Sequence, residues 1–192
     1  MSIGNSTKQA FADALKTLLN NKELEKIRVA ELCALCGAER PTFYYHFRDK
    51  YDLVTWIYEQ DYKRAVQQSG GRYNMAHLEQ LLSIIRQEQT FYRKVCAEHT
   101  QNALIPHIYD SYMGTMRGIL LHASHTSALT AEQQFALTFS AHGWIGCLLD
   151  WIFERTTLTA AEFSREMYGQ LGRLALPDTL DTALITMPAS GR

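Results

Sequence analysis

A hydrophobic share of 46% and a charged share of 20% over 192 residues are typical of a globular protein of one or two domains. The formal net charge of -1 gives no sign of a polyanion partner for the chain as a whole. Residues 1–50 nonetheless hold eight Lys or Arg against six Asp or Glu, while residues 51–192 hold eleven against fourteen, which permits a local basic surface in the N-terminal part.

Targeting and membrane segments are not expected. The start, MSIGNSTKQAF, has no apolar run typical of a signal peptide, and the longest apolar stretch, WIGCLLDWIF, is interrupted by Asp150 and too short to span a bilayer. We therefore expect a cytoplasmic protein with no membrane partner, whose four cysteines are reduced thiols. Only four prolines leave room for long helices, so we expect a mostly helical chain.

The first predicted element is an amphipathic helix. Apolar residues recur at helical intervals from Phe11 to Leu19, and Ser6 with Gln9 has the spacing of a capping box. We therefore expect this helix to begin at Ser6 and to end before Asn20.

Two short helices joined by a tight turn follow in RVAELCALCGAERPTFYYHF. The first is predicted to end near Cys36, the turn lies at Gly37, and the second runs from about Arg40 to His46. Two short helices around a glycine turn are typical of a helix-turn-helix unit.

The remainder of the chain shows helical periodicity and no sustained alternation that would indicate a strand. A glycine-containing loop near residues 69–71 is the clearest break, and a loosely held tail is expected from about residue 177. Helices are predicted near Lys50–Gln68, Met75–Gln87, Gln89–Glu98, Ile108–Ala123, Thr130–Glu154 and Thr159–Leu174.

The segment ERPTFYYHFRDK carries residue types suited to DNA recognition. Phe43 and Phe47 are four residues apart and share one helical face, which we expect to pack inward. Pro41 and Tyr45 then lie on the opposite side, Thr42 and Tyr44 flank it, and Arg40 projects from the N-terminus of the helix. An arginine can make a bidentate contact with guanine, while an apolar ring can touch a thymine methyl group and a hydroxyl can reach a phosphate.

The same residues resemble the TetR/AcrR family of transcriptional regulators. The family signature is approximately Gly-Val-Ser-x-x-Thr-[Leu/Phe]-Tyr-x-His-Phe-x-[Ser/Asp]-Lys-x-x-Leu, and this chain has Gly37, Thr42, Phe43, Tyr44, His46, Phe47, Asp49, Lys50 and Leu53 in register. The resemblance covers roughly the first 60 residues. It implies an all-α fold with a three-helix helix-turn-helix domain over residues 1–50 and a larger helical ligand-binding and dimerisation domain over residues 51–192.

The resemblance also implies a function and a set of DNA contacts. Members of the family are usually repressors that a small molecule releases, so we expect a ligand-responsive regulator that binds a palindromic operator in double-stranded DNA as a homodimer. Carried over by position, the DNA contacts are Ala30, Arg40, Pro41, Thr42, Tyr44, Tyr45, His46 and Lys50. The chain departs from the pattern at Arg28 and Glu39, which stand where Thr and Ser commonly cap the two helices; a carboxylate at position 39 would also repel phosphates.

The segment FSAHGWIGCLLDWIFE indicates a helix-helix interface. Its pattern is similar to that of the regulators of dihydroxyacetone kinase operons, a subgroup of the family. The family places its last two core helices in a four-helix bundle with a second subunit, which implies the interface residues Gly143, Gly146, Trp151, Phe163, Met167 and Leu171. Burial of this helix inside its own domain is the alternative.

A ligand pocket is expected between the middle helices, with apolar and aromatic walls that suit an aromatic or amphipathic molecule. Its predicted walls are Phe91, Tyr92, Cys96, Ile105, Tyr109, Met113, Met116 and Trp144. The same residues also suit an ordinary core.

Metal, redox and enzymatic readings have weaker support. Cys33 and Cys36 form a C-x-x-C that we interpret as small core thiols. Five histidines occur in the C-terminal part, of which His122 and His125 are one turn apart, but no recognised metal spacing is present; they are His99, His107, His122, His125 and His142. We expect no metal, no cofactor and no enzyme activity, because catalytic motifs are lacking. A metal-sensing regulator, and an adaptor that binds DNA weakly and acts through a protein partner, remain as alternatives.

Overall fold

The computed structural model describes residues 3–70, 75–98 and 103–175, and every regular element in those ranges is helical. The predicted all-α fold is therefore confirmed. The helices are α1 (Ile3–Leu19), α2 (Val29–Cys36), α3 (Arg40–His46), α4 (Lys50–Gln68), α5 (Met75–Gln87), α6 (Gln89–Cys96), α7 (Leu104–Ala123), α8 (Ala131–Ile152) and α9 (Ala160–Ala175), with a short 3-10 turn at Leu24–Lys26. The tail predicted from about residue 177 lies outside the described residues.

Two helix starts differ from the predictions by more than one residue. α1 begins at Ile3, so Ser6 is not its cap, and Gln9 instead donates to Oδ1 of Asp13 over 2.9 Å within the helix. α7 begins at Leu104, upstream of the predicted start at Ile108, because Pro106 lies in the first turn, where a missing N–H is tolerated.

Capping boxes are instead found in the C-terminal half. Thr130 and Gln133 exchange side-chain to backbone hydrogen bonds at the start of α8. Thr159 and Glu162 do the same at the start of α9. Each pair satisfies two backbone N–H groups that the helix itself leaves without partners.

The chain forms two compact units. The first unit comprises residues 1–61 and 88–107, and the second unit comprises residues 62–87 and 108–192. α6 thus belongs to the first unit, although it follows the predicted boundary at residue 50 in sequence. That boundary was drawn by function and stays a prediction.

The first unit has an aromatic core between α1 and α3. Phe11 meets Phe43 edge to face at a centroid distance of 5.2 Å, and both rings are fully buried. Phe47 lies 5.6 Å from Phe43, which confirms the inward face predicted for α3. Such pairs add roughly 0.5–1.5 kcal/mol beyond the burial of their area, so α3 is held firmly by its inner side.

The second unit is built around α5, α8 and α9, with α9 packed on both of the others. Trp151 stacks on Phe163 at a centroid distance of 5.5 Å, and its indole N–H donates to the carbonyl of Leu158 over 2.9 Å. The guanidinium of Arg86 lies 4.1 Å from the centre of the Trp151 ring. Across the described residues, no helix combines the length and apolar character needed to cross a membrane.

Candidate nucleic-acid interface

A glycine in the left-handed region sets the turn between α2 and α3. Gly37 has φ 62°, a conformation that a residue with a Cβ adopts only at a cost. The N–H of Ala38 donates to the carbonyl of Cys33 over 3.0 Å and closes the end of α2. α3 can therefore begin at Arg40 without a long loop, as predicted.

The outward side of α3 presents aromatic rings and a cation to solvent. Tyr45 is 84% exposed and Tyr44 is 51% exposed, with the exposed Arg40 and Pro41 on the same helix. Large exposed rings at one place on a protein are a mark of an interaction surface. The arrangement is thus open to a partner on one side and anchored by Phe43 on the other.

The remaining predicted contacts of this region are less exposed, except for Ala30. Ala30 lies exposed in the first turn of α2, whereas Thr42 and His46 are half-buried. The ring of His46 meets that of Tyr45 at 4.9 Å, and burial, helped by the charge of Lys8, lowers the pKa of His46. The neutral imidazole is therefore favoured, which leaves one nitrogen as a donor and one as an acceptor.

Neither of the two departures from the family pattern caps its helix through a side chain of its own. Arg28 makes no capping hydrogen bond; instead Glu31 accepts from the backbone N–H of Arg28 over 3.0 Å and pairs with Lys22. Those hydrogen bonds from Lys22 and Arg28 lower the pKa of Glu31. Glu39 makes no capping hydrogen bond either and is exposed beside Arg40.

Lys50 differs from the other predicted DNA contacts. It is half-buried, and its Nζ donates to the carbonyl oxygens of Leu24, Glu25 and Ile27 over 2.7, 2.6 and 3.0 Å. An ammonium group has three N–H donors, and three protein acceptors take them here. The predicted phosphate contact of Lys50 would require one of these hydrogen bonds to break.

Arg48 is a basic residue that sequence reasoning overlooked. Its side chain is 88% exposed between α3 and α4, and its Nη2 lies 3.4 Å from Oδ1 of Asp52. Exposed ion pairs of this kind are weak, so the guanidinium remains available to an anion. The position is variable in the family signature, and its place directly after α3 was the signal that could have found it.

The predicted ligand-pocket residues divide between the two units. Phe91, Tyr92 and Cys96 are buried in the first unit, where the Tyr92 hydroxyl donates to the buried Asp61 over 2.7 Å, and Ile105 there is half-buried. The second unit holds the other four, with Met116 buried and the rest half-buried: Tyr109, Met113, Met116 and Trp144.

Trp144 has the most unusual environment of this set. It stacks on Tyr112 at 5.4 Å, and Tyr112 shares a 2.7 Å hydrogen bond with Ser140. The indole Nε1 is buried and has no acceptor among the described residues. Buried donors nearly always have a partner, so this N–H is a candidate ligand contact.

The predicted interface residues also divide, here by exposure. Trp151, Phe163 and Met167 are 1%, 4% and 6% exposed, so they form the core of the second unit and offer almost no surface to another chain. Gly143 and Gly146 are exposed on α8, so their place in an interface stays a prediction. The side chain of Leu171 lies outside what the structure describes.

Two phenylalanines that the sequence analysis did not select lie on the same side of α8 as the glycines. Phe135 and Phe139 are 73% and 71% exposed and one helical turn apart. Their i, i+4 spacing, out of phase with the buried Leu137 and Ala141, was the available signal. We call Phe135, Phe139, Gly143 and Gly146 the α8 face.

Cysteine and histidine positions give little indication of metal or redox chemistry. Cys33 is buried, and Cys36 donates to the carbonyl of Ala10 over 3.2 Å; burial raises the pKa of both thiols. His122 and His125 have ring centroids 6.4 Å apart, and within the described ranges no group of three or more His, Cys, Asp or Glu could hold a metal ion. His99 lies outside those ranges.

Comparison with known proteins gives a family match, a similar curated protein and a similar solved structure. Residues 75–171 match a family model, TetR_C_8, described as the C-terminal region of transcriptional regulators. The chain is 28% identical over 90 residues to the HTH-type dhaKLM operon transcriptional activator DhaS of Lactococcus lactis subsp. lactis (strain IL1403), a match that covers 46% of this chain and 48% of that protein. The chain thus spans about half the length of this curated relative.

A solved structure shares the fold. The dihydroxyacetone kinase operon activator DhaS superposes with a TM-score of 0.61 at 17% sequence identity, over 88% of this chain and 96% of that chain. At this identity the likeness concerns the fold alone.

Proposed function

Because this chain belongs to the TetR family of transcriptional regulators, we propose that it binds double-stranded DNA through the outward side of α3. The observation that carries the proposal is the exposure of Tyr44 and Tyr45 beside Arg40, on a helix that Phe43 anchors from behind. The side chain of Tyr45 is 84% exposed, and Tyr44 stays 51% exposed although its ring meets that of Phe43 edge to face at 5.5 Å.

Different side chains on and near α3 are suited to base contacts and to phosphate contacts. Arg40 is suited to a bidentate contact with a guanine, and the Pro41 and Tyr45 surfaces are suited to a thymine methyl group. Tyrosine hydroxyls and the exposed Arg48 are suited to phosphate oxygens, which position the protein without reading sequence. Ala30, Thr42 and His46 would contact the groove walls from the edges of this surface.

A homodimer is the proposed form that binds a palindromic operator. Two recognition helices must lie about 34 Å apart to reach successive major grooves. The α8 face is the surface that supports self-association, since it exposes two phenylalanines and two glycines. A Cβ added at Gly143 or Gly146 would meet nothing within 4 Å, so the protomer itself does not require glycine there, whereas a closely packed second helix would.

A small-molecule effector is proposed to bind in the second unit near Trp144. A planar molecule could pack against the Trp144 and Tyr112 rings, and a carbonyl or carboxylate oxygen on it would accept from the buried indole N–H. The test is a thermal-shift screen of compounds on wild-type protein and Trp144→Phe. Effectors of this class should stabilise the wild type and lose most of that effect in the variant.

The proposed sign of regulation is repression. Repression is the usual mode of the family and stays our prediction, while the curated relative and the solved structure named above are both described as activators. A reporter under the promoter next to the gene decides between them: deletion of the regulator raises expression if it represses and lowers expression if it activates.

Binding to DNA that flanks the gene, measured over a range of salt concentrations, tests the central proposal. A DNA-binding regulator should prefer one palindromic segment over random DNA by 1,000-fold or more, and log affinity should fall steeply with log salt concentration. Equal and weak binding to all sequences would favour the adaptor, which the exposed carboxylate of Glu39 and the acidic overall balance also favour.

A further inference from the structure

We propose that Lys50 is a positioning residue of the first unit: its ammonium ties the turn that precedes α2 to the start of α4, and so holds α2 and α3 in place for DNA binding. Only the last part rests on the proposed function, because the tie lies wholly within the free protein. The role differs from the phosphate contact that the sequence predicts for this lysine.

The tie is a three-point attachment. Nζ of Lys50 donates to the carbonyl oxygens of Leu24 (2.7 Å), Glu25 (2.6 Å) and Ile27 (3.0 Å). These carbonyls belong to a 3-10 turn and the residue after it, where the backbone leaves acceptor capacity that a longer helix would use. The Leu24 carbonyl also accepts from the N–H of Ile27 over 3.1 Å, so the ammonium supplies its second hydrogen bond.

The charges around Lys50 oppose an approaching phosphate. Burial lowers the pKa of the Lys50 ammonium, and the negative charges of Glu98, Glu25 and Asp49 oppose that lowering. A phosphate that reached Nζ would have to come close to these negative charges and displace at least one carbonyl. The same surroundings suit a cation that serves the protein backbone.

The held turn is coupled to the start of α2. Lys22, just before the turn, pairs with Glu31 of α2. Glu31 in turn accepts from the backbone N–H of Arg28, the residue immediately before α2. Movement of the turn would therefore disturb the Glu31 carboxylate and the Arg28 N–H that it binds, and so the start of α2. Because only the tight turn at Gly37 separates α2 from α3, α3 would shift as well.

α6 holds the same turn from another side. Lys94 donates to the carbonyl of Lys22 over 3.0 Å and lies 3.2 Å from a carboxylate oxygen of Glu23, while Glu98 accepts from the N–H of Glu25 over 3.3 Å. Side chains of α4 and α6, and that of Glu98 just after α6, thus converge on one short segment. This convergence indicates a structural junction rather than a surface left open for DNA.

Nuclear magnetic resonance of the wild-type protein tests the tie directly. With 15N-labelled lysine and 13C-labelled carbonyls, the Lys50 ammonium should give a slowly exchanging signal with hydrogen-bond couplings to the carbonyl carbons of residues 24, 25 and 27. The couplings should persist when operator DNA is bound. Their loss on binding, with a new coupling from Nζ to a phosphorus nucleus, would overturn the proposal.

Variants test what the tie does, with Lys26→Met as the matched control because Lys26 is exposed in the same turn. Both Lys50→Met and Lys50→Arg should increase amide hydrogen exchange at residues 22–28 of the free protein by roughly tenfold or more, since hydrogen bonds that hold this segment are lost. Arginine keeps the charge but has a planar guanidinium that does not fit three carbonyls around one nitrogen. Lys26→Met should leave exchange unchanged.

The DNA measurements then separate positioning from phosphate binding. If Lys50 is a positioning residue, Lys50→Met and Lys50→Arg should both lose roughly tenfold in operator affinity. The slope of log affinity against log salt concentration should stay unchanged. A phosphate contact predicts normal exchange in the free protein, retained affinity in Lys50→Arg, and a slope reduced by about 1 per contact in Lys50→Met; that result would overturn the proposal. If the Lys50 variants do not fold, the couplings of the wild type decide. If the wild type binds no DNA, exchange still decides the tie and only the proposed function fails.

Discussion

The outward sides of α3 and α8 both expose aromatic rings, but the rings are suited to different surroundings. On α3 they are Tyr44 and Tyr45, whose hydroxyls can hydrogen-bond to water or phosphate, and Arg40 stands beside them. On α8 they are Phe135 and Phe139, which carry no polar atom. Interfaces with DNA are polar and hydrated, whereas the cores of homodimer interfaces are apolar. The atoms next to an exposed ring, and not the exposure itself, therefore indicate what it binds.

The largest expected effect is on the α8 face. Gly146→Leu should leave the protomer folded, since a Cβ there meets nothing within 4 Å, but should clash with a second copy. Overpacking costs ~1–3 kcal/mol per site, and a two-fold axis repeats it, so dimerisation should weaken by ~2–6 kcal/mol. Sedimentation at micromolar concentration should show a wild-type dimer and a variant monomer.

The control for this experiment is Gly118→Leu on α7, where an exposed glycine has equally open surroundings. It should remain dimeric. A monomeric wild type, or a dimer that survives Gly146→Leu, would contradict the role assigned to the α8 face.

Low pH should reduce the stability of the second unit, which carries the α8 face. His77 is 1% exposed, lies 4.6 Å from the Tyr62 ring, and has its pKa lowered by burial from 6.5 to about 4. His77 therefore takes up a proton at higher pH in the unfolded chain than in the folded protein. The folded protein keeps its full stability above about pH 6.5 and becomes less stable as the pH falls toward 4. At 1.36 kcal/mol per pKa unit, the loss is ~3 kcal/mol.

Urea unfolding of wild-type protein and His77→Phe at several pH values between 7 and 4 measures this contribution. The difference between the two proteins isolates the histidine from the carboxylates that also titrate. The variant should lose less stability than the wild type on acidification. Parallel pH profiles would mean that His77 is not the group responsible.

The next effect concerns DNA and leaves the dimer unchanged. Arg40→Ala should cost ~1–3 kcal/mol per operator half-site and relax the preference at one base pair, because a bidentate guanine contact is lost. Binding to operator variants and to random DNA at one salt concentration measures both quantities. Unchanged affinity and unchanged preference would show that α3 does not read the bases.

The smallest effects are expected when a hydroxyl group is removed from α3 and when one is added to the α8 face. Tyr45→Phe should weaken operator binding by ~0.5–1.5 kcal/mol without affecting sedimentation, because one hydrogen bond to the DNA backbone is lost. Phe139→Tyr should weaken the dimer by a similar amount without affecting DNA affinity of the dimer, because a hydroxyl is buried. If Tyr45→Phe is neutral for DNA and Phe139→Tyr is neutral for the dimer, the polar atoms do not distinguish the two surfaces.

Local signals in the sequence were sufficient to predict α3. The Gly37 turn, the start at Arg40 and the inward pair Phe43 and Phe47 were all predicted, because a left-handed turn and a four-residue spacing are properties of neighbouring residues. The helix order and the all-α fold followed from the same kind of periodicity. Helix starts were less certain, since S-x-x-Q also occurs inside a helix and proline is tolerated in a first turn.

Partners distant in sequence were decided only by the tertiary structure. Trp151 and Phe163 have the periodicity of an interface, but α5, α8 and α9 bury them within one protomer, while Phe139 is left outside. Lys50 has the position of a phosphate contact, but its ammonium meets carbonyls 23 to 26 residues earlier in the chain. Periodicity states which side chains share a face and not what covers that face, because the covering helix is brought there by the packing of the whole unit.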